Sequence, residues 1–166
     1  MAFSPDGSRL TASDEDKVVR VWDAQSGKEV LTLRGHEAET VGSVAFSSDG
    51  RHIVTTGCCV YAEALVWDAR SGARVASLLG HEAQEGLRGV RSATFSPDGR
   101  YIVTAGQDRT VRLWEFTPAA PARLLGDEGS VLGLMFSPEG SLTTALGQNA
   151  TFDLAARPER ARTSSD

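Results

Sequence analysis

The stretch Phe95–Gly99, with the sequence FSPDG, is one of four phased copies of a single motif, and this repetition decides the fold. The other copies are Phe3–Gly7, Phe46–Gly50 and Phe136–Gly140, at successive steps of 43, 49 and 41 residues. Serine first, proline second and glycine last are typical of a tight β-turn. A motif that recurs at this period predicts an array of similar structural units.

Two further marks keep phase with the turn motif. Trp22 and Trp114 lie 15 residues after the glycine of their repeats, and Trp67 lies 17 residues after its own. A Gly-His pair follows 13 residues beyond the first two tryptophans, at Gly35-His36 and Gly80-His81. Four phased copies of such a pattern exclude coincidence.

Short runs rich in valine, threonine and alanine lie between the turn signals of every repeat. Examples in the third repeat are Tyr101–Ala105 and Thr110–Trp114. In the second repeat, the run that ends near Trp67 is followed by a Ser-Gly turn, Ser71-Gly72. No stretch shows convincing helical periodicity. Four β-branched-rich runs per repeat therefore predict an all-β chain of antiparallel sheets.

The Gly-His and Trp-Asp marks, at four strands per repeat, resemble the WD-repeat β-propeller family. The resemblance covers residues 1–154. It implies an open, partial propeller of about three and a half repeats, built from antiparallel four-stranded blades. The implied bounds are blade 1 at about 1–34, blade 2 at about 40–79, blade 3 at about 89–125, and a degraded partial blade 4 at about 130–154. Residues 155–166 lack periodicity and are predicted to be a disordered tail.

The resemblance also implies a hydrogen-bonded tetrad of histidine, hydroxyl residue, aspartate and tryptophan within each blade. The third repeat carries the full set: His81, Thr104, Asp108 and Trp114. The second repeat carries a partial set: His36, Thr55 and Trp67, with Tyr61 at the aspartate position. The first repeat keeps two members: Asp16 and Trp22, with Ala12 at the hydroxyl position. In the fourth repeat, Asp127 replaces the histidine and Phe152 the tryptophan. Such a network fixes strand register when it is fully connected and costs stability when it is not.

A histidine, a threonine and an aspartate together also match an acid–base or nucleophilic site. We reject catalysis because these residues recur with a tryptophan at repeat spacing, as architecture requires and a single active site does not. The predicted inner strands, such as Val41–Phe46 and Val90–Phe95, carry Arg91 as their one charge. The sequence therefore predicts no catalytic residue.

The remaining chemistry-bearing residues indicate no bound cofactor or metal. The three histidines lie far apart, without another histidine or a cysteine at ligand spacing. His52 follows a turn and is predicted to be solvated. Cys58 and Cys59 are neighbours, closer than a relaxed disulfide requires, and are predicted to be free thiols.

Two lengthened loops offer a candidate contact surface. The connection between His81 and Phe95 is four residues longer than its counterpart in the preceding repeat, and the loop after Gly57 is two residues longer. In a propeller both loops emerge on the same rim. Tyrosine and arginine are favoured interface anchors, which points to four candidate partner-binding residues: Tyr61, Arg88, Arg91 and Arg109. Neutral drift of the loops is the alternative explanation.

Composition limits the partner classes. Acidic residues outnumber basic ones, 22 to 17, for a net charge of −5, which argues against a general nucleic-acid binder. No apolar run is long enough to span a membrane and no secretory signal is visible, so we expect a cytoplasmic protein.

Function is inferred from the resemblance, which implies a non-catalytic scaffold for binding other proteins. Three blades and a remnant do not easily close a ring, so we expect a fragment of a larger propeller, or self-association through the unclosed faces. Two alternatives stay open: a sensory propeller of a larger multidomain enzyme, and a truncated, non-functional relic.

Overall fold

The protein is all-β, as predicted. The computed structural model describes residues 1–13, 16–38, 40–58, 62–82, 89–117, 120–129, 131–136, 142–146 and 150–152. Within these ranges the chain forms strands joined by turns, and no helix is long and apolar enough to cross a membrane. The strands are β1 (Ala2–Phe3), β2 (Arg9–Ser13), β3 (Val19–Asp23), β4 (Glu29–Leu33), β5 (Thr40–Phe46), β6 (His52–Cys58), β7 (Glu63–Asp68), β8 (Arg74–Leu79), β9 (Val90–Phe95), β10 (Tyr101–Gly106), β11 (Thr110–Thr117), β12 (Ala120–Gly129), β13 (Val131–Phe136), β14 (Leu142–Leu146) and β15 (Ala150–Phe152).

Consecutive strands pair into four antiparallel sheets, which we call blades 1 to 4. Blade 1 contains β1–β4, blade 2 contains β5–β8, blade 3 contains β9–β12, and blade 4 contains β13–β15. The first strand of a blade contacts the preceding blade: β5 touches β1 and β2, and β9 touches β5 and β6. Four-stranded antiparallel blades stacked side by side are the predicted fold class.

The repeated turn motif closes the hairpin between the first and second strands of blades 1, 2 and 3. In blade 3 the carbonyl of Ser96 accepts the backbone N–H of Gly99 at 2.9 Å, and the Ser96 hydroxyl donates to Asp98 Oδ1 at 2.5 Å. Gly99 has a φ of 72°, a conformation that glycine adopts without strain. Ser4 and Ser47 make the same contacts in blades 1 and 2.

The aspartate after the tryptophan organises the turn between the third and fourth strand. Asp68 Oδ1 accepts the backbone N–H and the hydroxyl of Ser71, each at 2.7 Å, and Asp23 accepts the same pair from Ser26. These hydrogen bonds, first the one from the Ser71 hydroxyl, hold the pKa of Asp68 below its ordinary value. The Trp-Asp dipeptide thus joins a buried anchor to a surface turn.

The cores lie between blades. We call the side of a sheet that carries the tryptophan its front face, and the opposite side its back face. The core between blades 1 and 2 joins aliphatic residues of the back face of blade 1 to the front face of blade 2: Val19, Val21 and Leu33 against Val44, Ile53, Leu65 and Trp67. The core between blades 2 and 3 repeats this arrangement: Val54, Ala64, Val66 and Leu78 against Ala93, Phe95, Ile102 and Trp114. Because side chains alternate across a strand, blade 2 supplies half of both cores.

Candidate functional site

The four residues singled out in the third repeat form one continuous hydrogen-bonded chain in blade 3. Trp114 Nε1 donates to Thr104 Oγ1 at 2.9 Å, and Thr104 Oγ1 lies 2.7 Å from His81 Nε2. His81 Nδ1 lies 3.0 Å from Asp108 Oδ2. Since the threonine oxygen accepts from the indole, its own hydrogen is free to donate to Nε2, and Nδ1–H then donates to the carboxylate. Thr104 is fully buried, and Trp114 is 3 % exposed.

The carboxylate of Asp108 ends this network and anchors the loop around it. It accepts hydrogen bonds from the backbone N–H groups of Glu82 and Thr110, each at 3.0 Å, and from the Thr110 hydroxyl at 2.8 Å. Burial alone would raise the pKa of Asp108, but these hydrogen bonds and the one from His81 outweigh it. The pKa therefore lies below its ordinary value.

Blade 2 contains an equivalent network whose carboxylate comes from a residue that sequence reasoning missed. Trp67 Nε1 donates to Thr55 Oγ1 at 2.8 Å, and Thr55 Oγ1 lies 2.6 Å from His36 Nε2. His36 Nδ1 lies 2.9 Å from Oε1 of Glu63, which also accepts the backbone N–H of Glu37 at 3.0 Å. The partial tetrad expected in blade 2 is in fact complete.

The interval of six residues between Asp108 and Trp114 does not lead to Glu63 when it is counted back from Trp67. That count leads to Tyr61, which lies outside the described residues. Glu63 begins β7, only four residues before Trp67, and its side chain is one methylene longer than that of aspartate. Burial raises the pKa of Glu63, but the hydrogen bond from His36 and the electrostatic attraction of that histidine lower it by more. The pKa therefore lies below its ordinary value. The available signal was the spacing from the histidine, because Glu63 lies 27 residues after His36, as Asp108 lies 27 residues after His81.

Blade 1 does not bring its two predicted members together. Asp16 pairs with Arg20 and accepts the backbone N–H of Val18 at 3.3 Å. Trp22 is half-buried, in contrast to its nearly inaccessible counterparts in blades 2 and 3. Ala12 supplies no hydroxyl, so the link between indole and imidazole that defines the other networks has no counterpart here.

The fourth repeat departs from its predicted arrangement. The sequence predicts Asp127 in the connection between blades, as the histidine replacement, but Asp127 lies inside β12 and pairs in register with Arg112. The reason is that β11 and β12 continue to pair as far as Gly129, which absorbs the segment that forms a connection in the earlier blades. Phe152 ends β15.

The polar groups of the tetrad in blade 3 are not available to bind or attack a substrate. Both ring nitrogens of His81 and the hydroxyl of Thr104 already have buried hydrogen-bond partners. A nucleophile needs access to its substrate as well as an adjacent base. The hydroxyl of Thr104 has no such access, because the residue is fully buried. In the part of the chain that the structure describes, no group of three or more histidine, cysteine, aspartate or glutamate residues is placed to hold a metal ion.

Two of the four predicted contact residues can be located. Arg91 lies exposed on β9, the first strand of blade 3, and Arg109 lies exposed in the turn before β11, with a φ of 67°. Among the described residues, neither guanidinium has an ion pair or hydrogen bond. Tyr61 and Arg88 lie outside the described residues, as does Cys59.

The strand directions divide the loops between two rims. Successive antiparallel strands place the Gly-His connections and the turn at Arg109 on one rim, which we call the loop rim. They place the turns at Ser47 and Ser96 on the other, which we call the turn rim. The exposed guanidinium of Arg109 therefore lies on the same rim as the strand ends that flank the two lengthened loops.

The prediction that His52 is solvated is wrong. Its ring is half-buried and meets Phe116 of blade 3 edge-on, with centroids 5.1 Å apart. Arg9 occupies the matching position in blade 1 and donates to the carbonyl oxygen of Ala69 in blade 2 at 2.6 Å. The residue after the turn thus reaches the next blade in both cases. Beside His52, a cleft of about 450 Å³ opens on the turn rim, lined by side chains of both charges, among them Asp49, Arg100 and Glu115.

The depressed pKa of Asp108 predicts a specific acid response. A carboxyl whose folded-state pKa lies below its unfolded value stabilises the fold above the unfolded pKa of about 3.9, and this stabilisation is lost as the pH falls through the folded-state pKa. We expect Asp108→Asn to lower the free energy of unfolding at neutral pH and to flatten its decline in acid. Urea unfolding at a series of pH values between neutral and acid measures both. Parallel declines for the two proteins would contradict the role given to this carboxylate.

Comparison with known families matches the family described as WD40, "WD domain, G-beta repeat", over residues 1–23, 27–68 and 72–115. Among curated proteins, the chain is 44 % identical over 39 residues to the general transcriptional corepressor TUP1 of Saccharomyces cerevisiae, covering 24 % of this chain and 6 % of that protein. It is 53 % identical over 36 residues to the probable serine/threonine-protein kinase PkwA of Thermomonospora curvata, covering 22 % of this chain and 5 % of that protein. The chain thus matches only a small part of these relatives.

One solved structure gives a longer match. A chain in the crystal structure of a mitotic checkpoint complex superposes with a TM-score of 0.70 at 27 % sequence identity. The match covers 87 % of this chain and 45 % of that chain.

Proposed function

This chain belongs to the WD40 family of β-propeller repeat proteins, and on that premise we propose that it serves as a non-catalytic scaffold that binds other proteins. WD-repeat proteins generally mediate protein interactions. One observation carries the proposal: the histidine, threonine and tryptophan of both complete tetrads form hydrogen bonds with one another in the interior. Recognition is therefore left to exposed side chains.

The loop rim is the proposed contact surface. Arg109 lies exposed there, and Arg91 lies exposed on the first strand of the same blade. A partner carboxylate binds either guanidinium without first breaking an internal ion pair, because neither has one among the described residues. Tyr61 and Arg88 belong to the same proposal on sequence grounds. The net charge of −5 opposes binding to nucleic acid, so we propose that the partners are proteins. We also propose a cytoplasmic location.

Charge reversal tests the contact surface. We expect the double variant Arg91→Glu and Arg109→Glu to reduce the capture of bound proteins at least about tenfold, because each change replaces an attractive charge with a repulsive one. The measurement is quantitative mass spectrometry of proteins retained from a lysate of the source organism by the immobilised chain.

The matched control is Arg70→Glu. Arg70 is exposed in the turn before β8, on the turn rim, and its guanidinium has no partner among the described residues. It carries one such charge reversal, half the total change of the double variant, to the opposite rim. Undiminished capture of every partner by the double variant would remove the proposal, and so would equal losses in the control.

The chain is further proposed to be part of a larger propeller. It spans less than half of the solved WD chain that it matches and a few per cent of the two curated relatives. The similarity to a protein named as a probable kinase favours a second candidate, a sensory propeller joined to an enzyme. The nucleotide sequence around the reading frame separates the two: further in-frame WD repeats alone support the scaffold, and an in-frame kinase domain supports the second candidate.

A further inference from the structure

The cleft on the turn rim between blades 2 and 3 has a closed counterpart elsewhere in the chain. We call it the turn-rim cleft; its volume is about 450 Å³, and the first turns of both blades and the end of β11 line it. Blades 1 and 2 meet through the same elements, so the two junctions can be compared residue by residue. Both junctions are internal to the array.

Two side chains of blade 1 close its junction with blade 2. A Cβ at Gly50 would lie 3.6 Å from Cδ of Pro5, so the proline ring packs against the first turn of blade 2. Arg9 crosses to blade 2 and donates from Nη1 to the carbonyl oxygen of Ala69 at 2.6 Å. A proline ring and a guanidinium therefore fill this junction.

The turn of blade 2 carries no proline to pack against blade 3. Ser48 occupies the position that Pro5 has in blade 1. Gly99 is the counterpart of Gly50, and a Cβ at Gly99 would meet no described atom within 4 Å. The space that the proline ring fills in the first junction is therefore open in the second.

The residue after the turn of blade 2 is also shorter than its counterpart. His52 occupies the position that Arg9 has in blade 1, and Phe116 the position of Ala69. The ring of His52 meets Phe116 edge-on but makes no hydrogen bond among the described residues. No guanidinium of this chain thus crosses the second junction, and the cleft remains.

The charge of the turn-rim cleft is mainly negative. Its described lining contains three carboxylates, from Asp49, Asp98 and Glu115, against one guanidinium, from Arg100. The hydrogen bonds of the two turns engage Oδ1 of each aspartate. A cleft with this excess of one sign attracts a cation and repels an anion.

Glu115 has the carboxylate that is least committed to the fold. It follows the tryptophan of its blade, where Asp23 and Asp68 accept the backbone N–H and the hydroxyl of a serine three residues later. The residue three positions after Glu115 is Pro118, which has neither group. Among the described residues, the Glu115 carboxylate has no hydrogen bond or ion pair. It can accept a ligand without giving up a turn contact.

Arg9 shows which chemistry fills a junction of this kind. We propose that the turn-rim cleft binds an arginine side chain of a partner protein, with its guanidinium at Glu115 and its aliphatic stem beside Phe116. The planar donors of a guanidinium match a carboxylate in geometry as well as in charge. A volume of about 450 Å³ also falls in the range of ligand pockets, roughly 300–1,000 Å³.

The inference rests on the proposed protein-binding function and adds a second contact surface to it. Its residues lie on the turn rim, whereas Arg91 and Arg109 define the proposed surface of blade 3. A defined peptide tests the cleft without a lysate, so the two proposals fail separately. Lost capture in the Arg91 and Arg109 double variant says nothing against the cleft, and an empty cleft says nothing against the loop rim.

Titration of the full chain with a peptide, followed by nuclear magnetic resonance of its backbone amides, tests the cleft. The probe is glycyl-arginyl-glycine, acetylated and amidated at its ends. We expect it to shift the amide signals of Gly99 and Phe116. The same peptide with citrulline in place of arginine has equal shape but no charge, and should bind at least about tenfold more weakly. A peptide with glutamate at that position should leave both signals unmoved.

Glu115→Gln removes the proposed carboxylate and keeps its shape. We expect the dissociation constant of the arginine peptide to rise about tenfold. The matched control is Glu82→Gln, because Glu82 is exposed in the connection at His81, on the loop rim, and loses the same charge. The control should bind the peptide as wild type does.

A double variant fills the cleft with the side chains of blade 1. Ser48→Pro combined with His52→Arg should abolish the shifts caused by the peptide. The free energy of unfolding should not fall, because Pro5 and Pro97 occupy the same turn position in blades 1 and 3. Urea unfolding checks that the variant is folded.

Four results would overturn the proposal. The first is an arginine peptide that leaves the Gly99 and Phe116 amides unmoved in the wild-type chain. The second is citrulline binding as tightly as arginine, and the third is a glutamate peptide that shifts the same amides. The fourth is unchanged binding of the arginine peptide by Glu115→Gln or by the folded double variant.

Discussion

Replacing Thr104 with valine is expected to destabilise the chain by about 3 kcal/mol, because each buried polar group left without a partner costs roughly 1–3 kcal/mol. Valine matches threonine in shape, so packing is preserved and only the hydroxyl is lost. That hydroxyl accepts the Trp114 indole N–H at 2.9 Å and lies 2.7 Å from His81 Nε2. Its removal therefore strands two buried groups at once. Urea unfolding followed by tryptophan fluorescence and circular dichroism measures the loss.

Thr94→Val is the matched control. Thr94 lies on β9 and pairs in register with Val103, but its hydroxyl is only partly buried and makes a long contact of 3.4 Å to the Phe95 carbonyl oxygen. We expect this variant to lie within about 0.5 kcal/mol of wild type. Equal effects of the two substitutions would show that the Thr104 hydroxyl has no special role. Thr55→Val should repeat the large effect in blade 2, where Thr55 occupies the same place.

Gly106→Ala is expected to cost at least about 3 kcal/mol, because the added methyl group overpacks the site and breaks a buried polar network. A Cβ at this position would overlap His81 Nδ1 and Asp108 Oδ1. Either the methyl group or the hydrogen bond between imidazole and carboxylate has to give way. Gly57 is placed alike in blade 2, where a Cβ would come within 2.9 Å of Glu63 Cγ.

Gly80→Ala provides the contrast for Gly106→Ala, measured by the same unfolding experiment. A Cβ at Gly80 would approach Arg112 Nη1 at 2.5 Å, but that atom ends a long side chain whose contact with Asp108 is 4.0 Å, so it can shift without breaking the contact between His81 and Asp108. We expect a loss below about 1 kcal/mol. If Gly106→Ala were as mild as Gly80→Ala, the close fit of His81 and Asp108 around the strand end would not matter to stability.

The parts of the fold that depend on short-range chemistry could be predicted from the sequence. Residues close together along the chain encode the turn at Ser96. They also encode the strand before Trp114, where Val111 and Leu113 lie two positions apart and therefore on one face. They led to an all-β array of four-stranded blades, which the structure shows.

The parts that sequence reasoning missed depend on distances between side chains. Glu63 reaches His36 although it lies two residues nearer to its tryptophan than Asp108 does, and an interval counted from the tryptophan alone does not show that a longer side chain can make the contact. His52 is half-buried because Phe116 of the next blade lies beside it, a contact across 64 positions of sequence. Asp127 lies within a strand because β12 pairs further along β11 than its counterparts do. Each depends on tertiary packing, which overrides local signals.

The central claim is that the tetrads serve architecture by tying the indole groups of Trp67 and Trp114 to buried threonines. Hydrogen exchange of the indole N–H groups, followed by nuclear magnetic resonance, tests it most directly. We predict that these two protons exchange only when the chain unfolds globally, and that Thr104→Val accelerates the exchange of Trp114 while Trp67 stays protected. Rapid exchange of either proton in the wild-type chain would contradict the account.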